Sequence, residues 1–542
     1  MTRDPFQRVL ADFDAQAGHI QRWSADDEEA ETLRLLEAAI ARFAERHLDD
    51  ARIDAAAAIP PEVLAAAAEM GLFGISIAPE YGGAGLSMKA CSRVVGLLGR
   101  ADRSFGVSVG LHAGLGLRGL NQLGSPEQKQ RYLPQLARGE RIACFSITES
   151  EAGSDIASMR TTAVADGGGL KLDGSKIYVT NGGFGSLATI VARTPGLGGS
   201  RRGHSMLLVP LESEGVSRDA EEHKLGIRGS STCSLHFEDV RLGLDHVLGE
   251  PARGLDHMAL VLTWGRTLMA AGCIGIAEAA LERATDHVCE RVQFKRPIAE
   301  FGMVREKLAT MRARIHAMES LVRLVTRLED ERPDSIVWES SVAKIVCSEL
   351  VWQVVDEALQ LHGGSGFIEE TGMARLLRDC RITRIFEGAN ELLRYHMASA
   401  ALTWKPAAMV EGPRLAPRMG ELLADEAAAF DGLVARLAER LASEKKAYGL
   451  KVFKRQMMQR RVADAACGLY TLLALLLRAR GAAAAGTLDE RTLRWTQYGA
   501  GLLVAEVERR LDAAAGAGDA LASRIAADEC ARHGLELEET IA

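Results

Sequence analysis

The chain has 542 residues, more than a single hydrophobic core usually supports, so it should hold several domains or subdomains. Its 65 Lys and Arg against 73 Asp and Glu give a net charge of -8, which argues against nucleic acid as a partner. The nine cysteines are scattered without a C-x-x-C pair, and their number is odd. This predicts reduced thiols rather than a disulfide framework, and no metal site is expected.

Neither a targeting segment nor a membrane-spanning helix is predicted. Residues 1–30 lack a continuous apolar stretch and are rich in Asp and Glu, unlike a secretory signal or an Arg-rich transit peptide. The longest apolar run near the C-terminus, Cys467 to Leu477, is shorter than the roughly 20 residues that a spanning helix needs. We therefore expect a cytoplasmic protein, and peripheral contact with the inner face of the membrane stays open.

Helices are predicted for the first part of the chain. Apolar residues recur at helical spacing between 33 and 43, after Asp26 or Asp27 as a cap. Pro60-Pro61-Glu62 begins a further helix, and Ser125 caps another that has proline in its first turn. The sequence thus predicts an N-terminal helical domain over 1–141.

The period changes near Cys144, and residues 142–253 are predicted to form a β domain. Asp166-Gly167 and Asp173-Gly174 are turn dipeptides between short β-type runs. An alternation of apolar and polar residues from 233 to 238 indicates a half-buried strand. Further candidate strands are 176–180, 187–191 and 206–211.

Helical patterns return after residue 254, and one of these helices ends at Gly363-Gly364. Three prolines between 403 and 425 indicate a linker, which we place at 403–440. The fold class is therefore mainly α with a middle β domain. After the β domain it has a helical domain at 254–402 and an additional C-terminal helical domain at 441–542.

A literal G-x-G-x-x-G pattern runs from Gly114 to Gly119, with Glu140 downstream. A dinucleotide-binding motif needs a strand before the glycines and a βαβ unit around them. Helical patterns flank this one on both sides. The sequence therefore favours close helix packing, or a wall beside a ligand.

Four segments carry the chemistry when taken together. Within the last of them Glu387 stands between a bulky ring and Gly388, and glycine lets a ligand approach the backbone closely, so Glu387 is a candidate general base. The segments are Phe145–Asp155 (FSITESEAGSD), Lys176–Gly183 (KIYVTNGG), Arg291–Ile298 (RVQFKRPI) and Gln360–Gly388, which holds QLHGGSGF and ends in FEG.

These segments resemble the acyl-CoA dehydrogenase family, in order and spacing, over about residues 30–400. The extension after 403, including 443–464, resembles the very-long-chain branch. The resemblance implies an N-terminal helical domain, a middle β domain and a C-terminal four-helix bundle. It further implies FAD between the β domain and the bundle, a neighbouring subunit that completes the cofactor site, and a homodimer.

The resemblance also implies roles for individual residues. Glu387 would remove the α-proton of an acyl-CoA while flavin N5 takes the β-hydride, and the Glu387 N–H would polarise the thioester carbonyl. Substrate contacts are implied for Ser154, Arg266, Gly388, Gly110 and Gly114. The implied FAD contacts are Phe145, Ile147, Thr148, Gly153, Ser154, Tyr178, Thr180, Arg291, Gln293, Phe294, Gln360, Gly363, Gly364, Ala389 and Glu391.

Some positions depart from the family pattern. Tyr178 stands where tryptophan is common, and Ala389 replaces a threonine or serine, which removes a possible flavin contact. In some members the base lies just before the arginine matching Arg266, but this chain has Gly265 there, so the sequence selects Glu387. A shaping role near the base and a solvated or packing role remain equally open for Arg266.

Small residues at the expected floor of the acyl pocket, together with the extension, favour long-chain substrates in fatty-acid β-oxidation. The expected electron acceptor is electron-transfer flavoprotein. An acyl-CoA oxidase, or a scaffold or assembly protein with residual dehydrogenase activity, are the alternatives.

A basic run at 444–461 carries Leu450, Phe453 and Met457 at helical spacing. Such a segment can lie on an anionic membrane. A helix with a solvated basic face, or a loop, is equally compatible with the pattern.

Overall fold

The computed structural model describes residues 4–332, 336–513, 516 and 518–537. The outermost residues of the predicted first and last domains lie outside this description. Within it, helices pack around one mixed β-sheet. The helices before the sheet are α1 Pro5–Ala11, α2 Phe13–His19, α3 Asp27–His47, α4 Asp50–Ala56, α5 Pro61–Glu69, α6 Met88–Ala101, α7 Arg103–Leu111, α8 Leu117–Leu123 and α9 Pro126–Ala137.

The predicted helix starts in this region are confirmed. Asp26 accepts a hydrogen bond from the Glu29 N–H at 2.8 Å, which caps α3. Ser125 and Gln128 exchange side-chain and backbone hydrogen bonds in a capping box at α9. Local sequence chemistry therefore sets where these helices begin.

The G-x-G-x-x-G pattern lies in helical chain, where a π-helical turn, His112–Gly116, joins α7 to α8. A helix rather than a strand precedes it, so the pattern is not a dinucleotide-binding motif, and the prediction of close packing is confirmed. A Cβ on Gly116 would lie 2.9 Å from the Ala143 Cβ, and one on Gly119 would lie 3.0 Å from Leu248. The glycines bring this helical run against the sheet.

The sheet contains eight strands in the order β6-β7-β3-β2-β4-β5-β8, and β1 pairs in parallel with β4. The strands predicted at 176–180, 187–191 and 206–211 are confirmed, as is the turn at Asp166-Gly167. The strand bounds are β1 Ala143–Ser146, β2 Thr162–Asp166, β3 Gly169–Thr180, β4 Leu187–Arg193, β5 His204–Pro210, β6 Val216–Arg218, β7 Thr232–Leu242 and β8 Val247–Leu248.

One turn of the β domain was predicted wrongly. Asp173-Gly174 lies inside β3, where the pairing register with β7 shifts, and Gly174 has φ of 142°. Glycine at positive φ serves a β-bulge as well as a turn, so the dipeptide alone could not distinguish them. The strand predicted at 233–238 is confirmed within β7, where the apolar residues are buried and His236 and Glu238 are more exposed, although Ser234 is buried as well.

The second half of the chain is helical apart from a short hairpin of β9 Val292–Gln293 and β10 Arg296–Pro297. The helices are α10 Gly254–Glu290, α11 Gly302–Glu331, α12 Val337–His362, α13 Gly364–Phe367, α14 Met373–Arg381, α15 Asn390–Ala401, α16 Pro406–Glu411, α17 Ala416–Met419, α18 Ala424–Tyr448, α19 Gln456–Ala484, α20 Glu490–Ala513 and α21 Asp519–Ala531.

The bundle and the C-terminal extension share one hydrophobic core, which also takes in the first two helices of the chain. Phe6 on α1 is 1% exposed, and its ring lies 5.8 Å from that of Tyr470 and 6.3 Å from that of Phe430. The prediction that 1–141 forms one N-terminal domain is therefore wrong for α1 and α2. The linker predicted at 403–440 is wrong in its second part, because α18 runs from 424 to 448.

The predicted amphipathic stripe in the basic run is wrong. Helix α18 ends at Tyr448, a 3-10 turn spans Gly449–Lys454, and α19 begins at Gln456, so helical spacing is interrupted. Gly449 has φ of 53°, which breaks the helix. Leu450 is consequently 87% exposed, whereas Phe453 packs against the core.

Two helices, α10 and α19, are long and apolar enough to cross a membrane by length and composition. In each helix, 89% of an apolar stretch of 18 residues is buried inside the protein. Both are helices of the protein core.

Candidate active site

Glu387 lies in a short turn between the 3-10 turn Ile382–Arg384 and α15. Its φ is 57° and that of Gly388 is 99°, so two consecutive residues adopt the left-handed region. A non-glycine residue in this conformation is strained and persists only where its surroundings hold it. Its Oε2 is buried and has no hydrogen-bond partner in the described part of the chain.

Burial dominates the electrostatics of Glu387. It raises the pKa of the carboxyl from an ordinary value of 4.5 to about 7, although Lys344, Arg266 and Arg103 act in the opposite direction. A carboxyl with this pKa titrates near neutral pH. It can therefore accept a proton and release it again.

Arg266 on α10 holds the turn that carries Glu387. Its Nε donates to the Glu387 carbonyl oxygen at 3.1 Å, and burial lowers the pKa of the guanidinium to about 10. The neighbouring Gly265 leaves space for the base, because a Cβ there would lie 3.2 Å from Glu387 Oε2. Arg266 is thus a buried contact of Glu387 rather than a solvated side chain.

Lys344 and Asn390 belong to the same site and were missed in the sequence. Lys344 on α12 is fully buried and donates to Asn390 Oδ1 at 2.7 Å. Burial lowers its pKa to about 8, while Glu387 acts to raise it. A lysine inside an otherwise apolar helical run, Val342–Cys347, was the available signal.

The predicted contacts in the β domain cluster around two segments. Phe145 on β1, followed by Ile147 and Thr148, meets β3 through a hydrogen bond from Ile177 N–H to the Thr148 carbonyl at 2.9 Å. Tyr178 on β3 is 64% exposed, and Thr180 is the last residue of that strand. Gly153 and Ser154, which follow Thr148 in the chain, are exposed.

A buried ion pair stiffens this pair of segments. Lys176 Nζ lies 2.8 Å from Glu149 Oε1 and also donates to the Ile147 carbonyl at 3.2 Å. Glu149 further accepts from the Thr161 N–H at 3.1 Å. These contacts fix the backbone on both sides of Thr148.

The remaining predicted cofactor residues lie at the far ends of α10 and α12. The rings of His287 and His362 stack at 4.5 Å and bring these two helix ends together. The exposed residues around these two helix ends are Arg291, Gln293, Phe294, Gln360, Gly363 and Gly364. Phe294 is 87% exposed. No contact in the described part of the chain joins this group to Glu387 or Tyr178.

The other predicted positions are near Glu387 or behind it. Ala389 precedes the first residue of α15, and Glu391 is exposed in its first turn. A Cβ on Gly110 would come no nearer than 3.4 Å to Val95, whereas one on Gly114 would lie 3.0 Å from Leu268 and 3.7 Å from Trp264. Gly114 therefore faces the same stretch of α10 that carries Gly265 and Arg266.

A surface cavity lies elsewhere on the protein, and the described residues include no metal cluster. Among the described residues, no group of three or more His, Cys, Asp or Glu could hold a metal ion. A surface cavity of about 650 Å³, lined among others by Gln128, Arg131 and His257, contains none of the predicted site residues.

Sequence comparison assigns the family. The models of the acyl-CoA dehydrogenase N-terminal, middle and C-terminal domains match residues 30–140, 144–240 and 252–402. The chain belongs to the acyl-CoA dehydrogenase family. Its three-domain fold, predicted from the sequence, is confirmed by these matches, and the extension follows the last of them.

Acyl-CoA dehydrogenases from animals and bacteria are similar to this chain. The very long-chain specific enzyme of Mus musculus mitochondria is 36% identical over 378 residues, which cover 69% of this chain and 58% of that protein. An acyl-CoA dehydrogenase of Bacillus subtilis is 37% identical over 60% of this chain and 85% of its own length. This chain therefore spans little more than half of the mouse protein that it matches.

A solved structure extends the likeness to almost the whole chain. The crystal structure of an acyl-CoA dehydrogenase from Bacillus anthracis complexed with FAD has a TM-score of 0.77 and 29% identity. The match covers 94% of this chain and 88% of that one.

Proposed function

We propose that this acyl-CoA dehydrogenase family member is an FAD-dependent enzyme that converts an acyl-CoA thioester into the trans-2-enoyl-CoA. The observation that carries the proposal is Glu387, whose Oε2 is buried without a hydrogen-bond partner among the described residues. Burial raises the pKa of this carboxyl to about 7. A base whose pKa lies near the working pH combines sufficient ionisation with sufficient strength.

Glu387 takes the proton from the α carbon of the thioester. Arg266 fixes the main chain at the base, and Gly265 leaves room for its carboxylate. Orienting the base in advance lowers the entropic part of the barrier. When bound, FAD supplies the acceptor for the hydride that leaves the β carbon.

The residues present fit FAD. Tyr178 offers an exposed ring, and Thr148 and Thr180 offer hydroxyl groups, near the C-terminal end of β3. At the ends of α10 and α12, the Arg291 guanidinium suits a pyrophosphate, Phe294 offers a ring surface, and Gly363-Gly364 leave open space where side chains would stand. The chemistry of both groups matches a flavin dinucleotide.

We place the two groups in sites shared between subunits of a homodimer. Phe294, Phe367 and Ile368 are 87%, 82% and 50% exposed at the ends of α10 and α12. Large apolar side chains gathered at one surface are typical of a protein contact. Each subunit would present this end to the cofactor of its partner.

The substrate class that we propose is long-chain acyl-CoA. Gly110 presents no side chain toward Val95 on α6, Gly114 presents none toward Leu268 on α10, and Ser154 is exposed for the CoA moiety. Electrons pass to electron-transfer flavoprotein in this proposal. Oxygen as the acceptor would make the protein an oxidase, and a scaffold role would leave little turnover.

We propose a cytoplasmic location with peripheral membrane contact through 444–461. Leu450 projects from the turn between α18 and α19, and Lys445, Lys446, Lys451 and Lys454 surround it in sequence. An exposed apolar residue among lysines suits an anionic lipid surface. Co-sedimentation with phosphatidylglycerol vesicles, but not with phosphatidylcholine vesicles, should be lost in Leu450→Glu. Equal sedimentation of both proteins would refute the contact.

The experiment that tests the function is anaerobic bleaching of the bound flavin by butyryl-, octanoyl-, palmitoyl- and lignoceroyl-CoA. We expect rapid bleaching by the long chains, none in Glu387→Gln, and full FAD content in both proteins. Oxygen consumption during turnover would assign an oxidase instead. FAD that no acyl-CoA reduces would refute the dehydrogenase proposal.

A further inference from the structure

One carboxylate on α12 contacts the chain on both sides of Glu387. Glu349 Oε2 lies 2.9 Å from Arg384 Nε, three residues before the base. Glu349 Oε1 accepts from Asn390 Nδ2 at 2.9 Å and from the Arg394 guanidinium at 3.1 Å, three and seven residues after it. The turn that carries Glu387 is thus closed by a single side chain.

The same network continues into the C-terminal extension. Arg394 Nε donates to Asp464 Oδ1 on α19 at 2.6 Å. Asp464 Oδ2 lies 3.2 Å from the Arg510 guanidinium on α20. Residues 464 and 510 both lie beyond the matched C-terminal family domain, which ends at 402.

These contacts are protected from solvent. The side chains of Arg394 and Asp464 are each 12% exposed, and that of Glu349 is 20% exposed. Burial raises the pKa of Glu349, but its contacts with Asn390, Arg394 and Arg384 outweigh burial and hold that pKa below its ordinary value. Partly buried, charge-assisted hydrogen bonds of this kind are stronger and more directional than exposed ion pairs.

The turn needs such support. Glu387 and Gly388 both have positive φ, at 57° and 99°, and a strained conformation relaxes unless its flanks are fixed. Arg266 holds the carbonyl of Glu387 from α10, on the other side of the turn. Glu349, Arg394 and Asp464 hold the flanks.

We propose that Asp464 in the C-terminal extension is a positioning residue for the reaction, acting through Arg394 and Glu349 on the turn that carries the base. The inference rests on the proposed function, in which Glu387 removes the α-proton. The extension then contributes to the position of the base, besides its part in the shared core.

The test uses the full-length holoenzyme and palmitoyl-CoA. For Asp464→Asn we expect the rate of flavin reduction at saturating substrate to fall about 10- to 100-fold, because small misplacements of a base are costly. The substrate concentration at half-maximal rate should change less than about threefold, since binding contacts are kept. Asp464→Glu, which restores the charge, should recover most of the rate.

The matched control is Asp519→Asn. Asp519 is 5% exposed, forms an ion pair with Arg461 at 2.9 Å on the same extension, and has no contact with 384–394. This variant should keep the wild-type rate even if it is less stable. An equal loss of rate in both variants would show that general destabilisation is responsible and would overturn the proposal.

A double-mutant cycle tests the route. If Asp464 acts through Glu349, the effects of Asp464→Asn and Glu349→Gln should be strongly non-additive, whereas independent effects would multiply. Should Asp464→Asn fail to fold, Arg394→Lys replaces it, because lysine cannot bridge two carboxylates as the planar guanidinium does.

Three further outcomes overturn the proposal. The first is a wild-type reduction rate in Asp464→Asn or, where that variant does not fold, in Arg394→Lys. The second is multiplicative effects in the cycle. The third is a wild-type flavin that no acyl-CoA reduces, which would refute the proposed function as well, so the two failures are distinguished by the wild-type protein alone.

Discussion

At the scale of single residues, the site is a carboxylate surrounded by cations that are themselves buried. Lys344, Arg266 and Arg103 lower the pKa of Glu387, while burial raises it further than they lower it. The balance leaves the pKa of Glu387 close to neutral pH. Removing any one of these charges should therefore shift the pH at which the enzyme becomes active.

Lys344→Met tests this balance. The base works when ionised, so the rate should rise with pH through a pKa near 7 in the wild-type protein. Losing the Lys344 cation raises the pKa of Glu387 and should move this rise by about one pH unit to higher pH. The pH profile of flavin reduction measures it. The control is Lys89→Met, a lysine that is 2% exposed and has a pKa near 8 but lies in the N-terminal domain; its profile should stay unchanged.

Glu387→Gln should also change stability in a pH-dependent way. Because the folded-state pKa of Glu387 is raised, its ionisation lowers the free energy of unfolding. This loss is absent below the ordinary pKa of 4.5 and complete above about pH 7. A shift of this size corresponds to roughly 3 kcal/mol. Thermal unfolding of the holoenzyme should show a more stable variant at about pH 8 and a much smaller difference at about pH 5. Equal midpoints at both pH values would contradict the burial argument.

The sequence singled out Glu387 and Arg266 as candidates, but not Lys344 and Asn390. Glu387 stands in a distinctive string, whereas Lys344 and Asn390 reach the site only because α12 and α15 meet. Spacing along one helix cannot show which lysine is buried beside a base from another segment. The same limit hid Asp464, which lies 77 positions after Glu387 in the chain.

At the scale of elements, glycines set how closely α6 and α10 pack. A Cβ on Gly275 would lie 1.9 Å from the carbonyl oxygen of Gly96, and one on Gly99 would lie 3.0 Å from that of Gly272. Backbone therefore meets backbone where these helices cross. The crossing fixes the direction of α10, the helix that carries Gly265 and Arg266.

Gly275→Ala should separate these two helices. Overpacking against a rigid backbone costs about 1–3 kcal/mol or more, and the displaced α10 should also slow flavin reduction. Gly501→Ala on α20 is the control, since nothing lies within 4 Å of a Cβ there. Alanine at that exposed helical position should stabilise by about 0.5–1 kcal/mol. Denaturant unfolding compares the two; a neutral Gly275→Ala would contradict the packing.

Element prediction succeeded where local chemistry decides and failed where tertiary context decides. The caps at Asp26 and Ser125 depend on side chains within three residues, so the sequence contained the answer. Asp173-Gly174 fits a turn and a bulge equally well, and only pairing with β7 selects the bulge. In the basic run, one glycine at positive φ outweighed the apolar spacing around it.

At the scale of the whole molecule, the first helix of the chain packs against helices of the C-terminal extension. The rings of Trp338 and Trp404 lie 6.1 Å from that of Phe6, so helices from the bundle and the region after it join the contact made by α18 and α19. The order of domains was predictable from changes in periodicity. The packing of α1 against residues more than 400 positions later was not predictable, because the sequence of a short apolar helix does not specify which element it packs against.

Phe6→Ala should therefore weaken the packing of the C-terminal extension, which is distant from the mutation in sequence. Truncating a buried aromatic ring costs about 3–5 kcal/mol, and the cost falls on the packing of α18 and α19. Limited proteolysis should cut the extension faster in this variant than in the wild-type protein. Leu35→Ala, at a residue that is 56% exposed on α3, should leave the rate of cleavage unchanged. Faster cleavage confined to the N-terminal domain would contradict the shared core.

The meeting of α1 with α19 also has a consequence for the time course of biosynthesis. The segment holding Phe6 and Phe13 is translated long before the one holding Tyr470, and at roughly 5–20 residues per second more than about 20 s separate the two. Until α19 has been made, these rings lack part of their native cover, although Trp338 and Trp404 are translated earlier. The nascent chain therefore exposes apolar surface on α1 and α2 that chaperones can bind, and the synthesis of α19 ends that exposure.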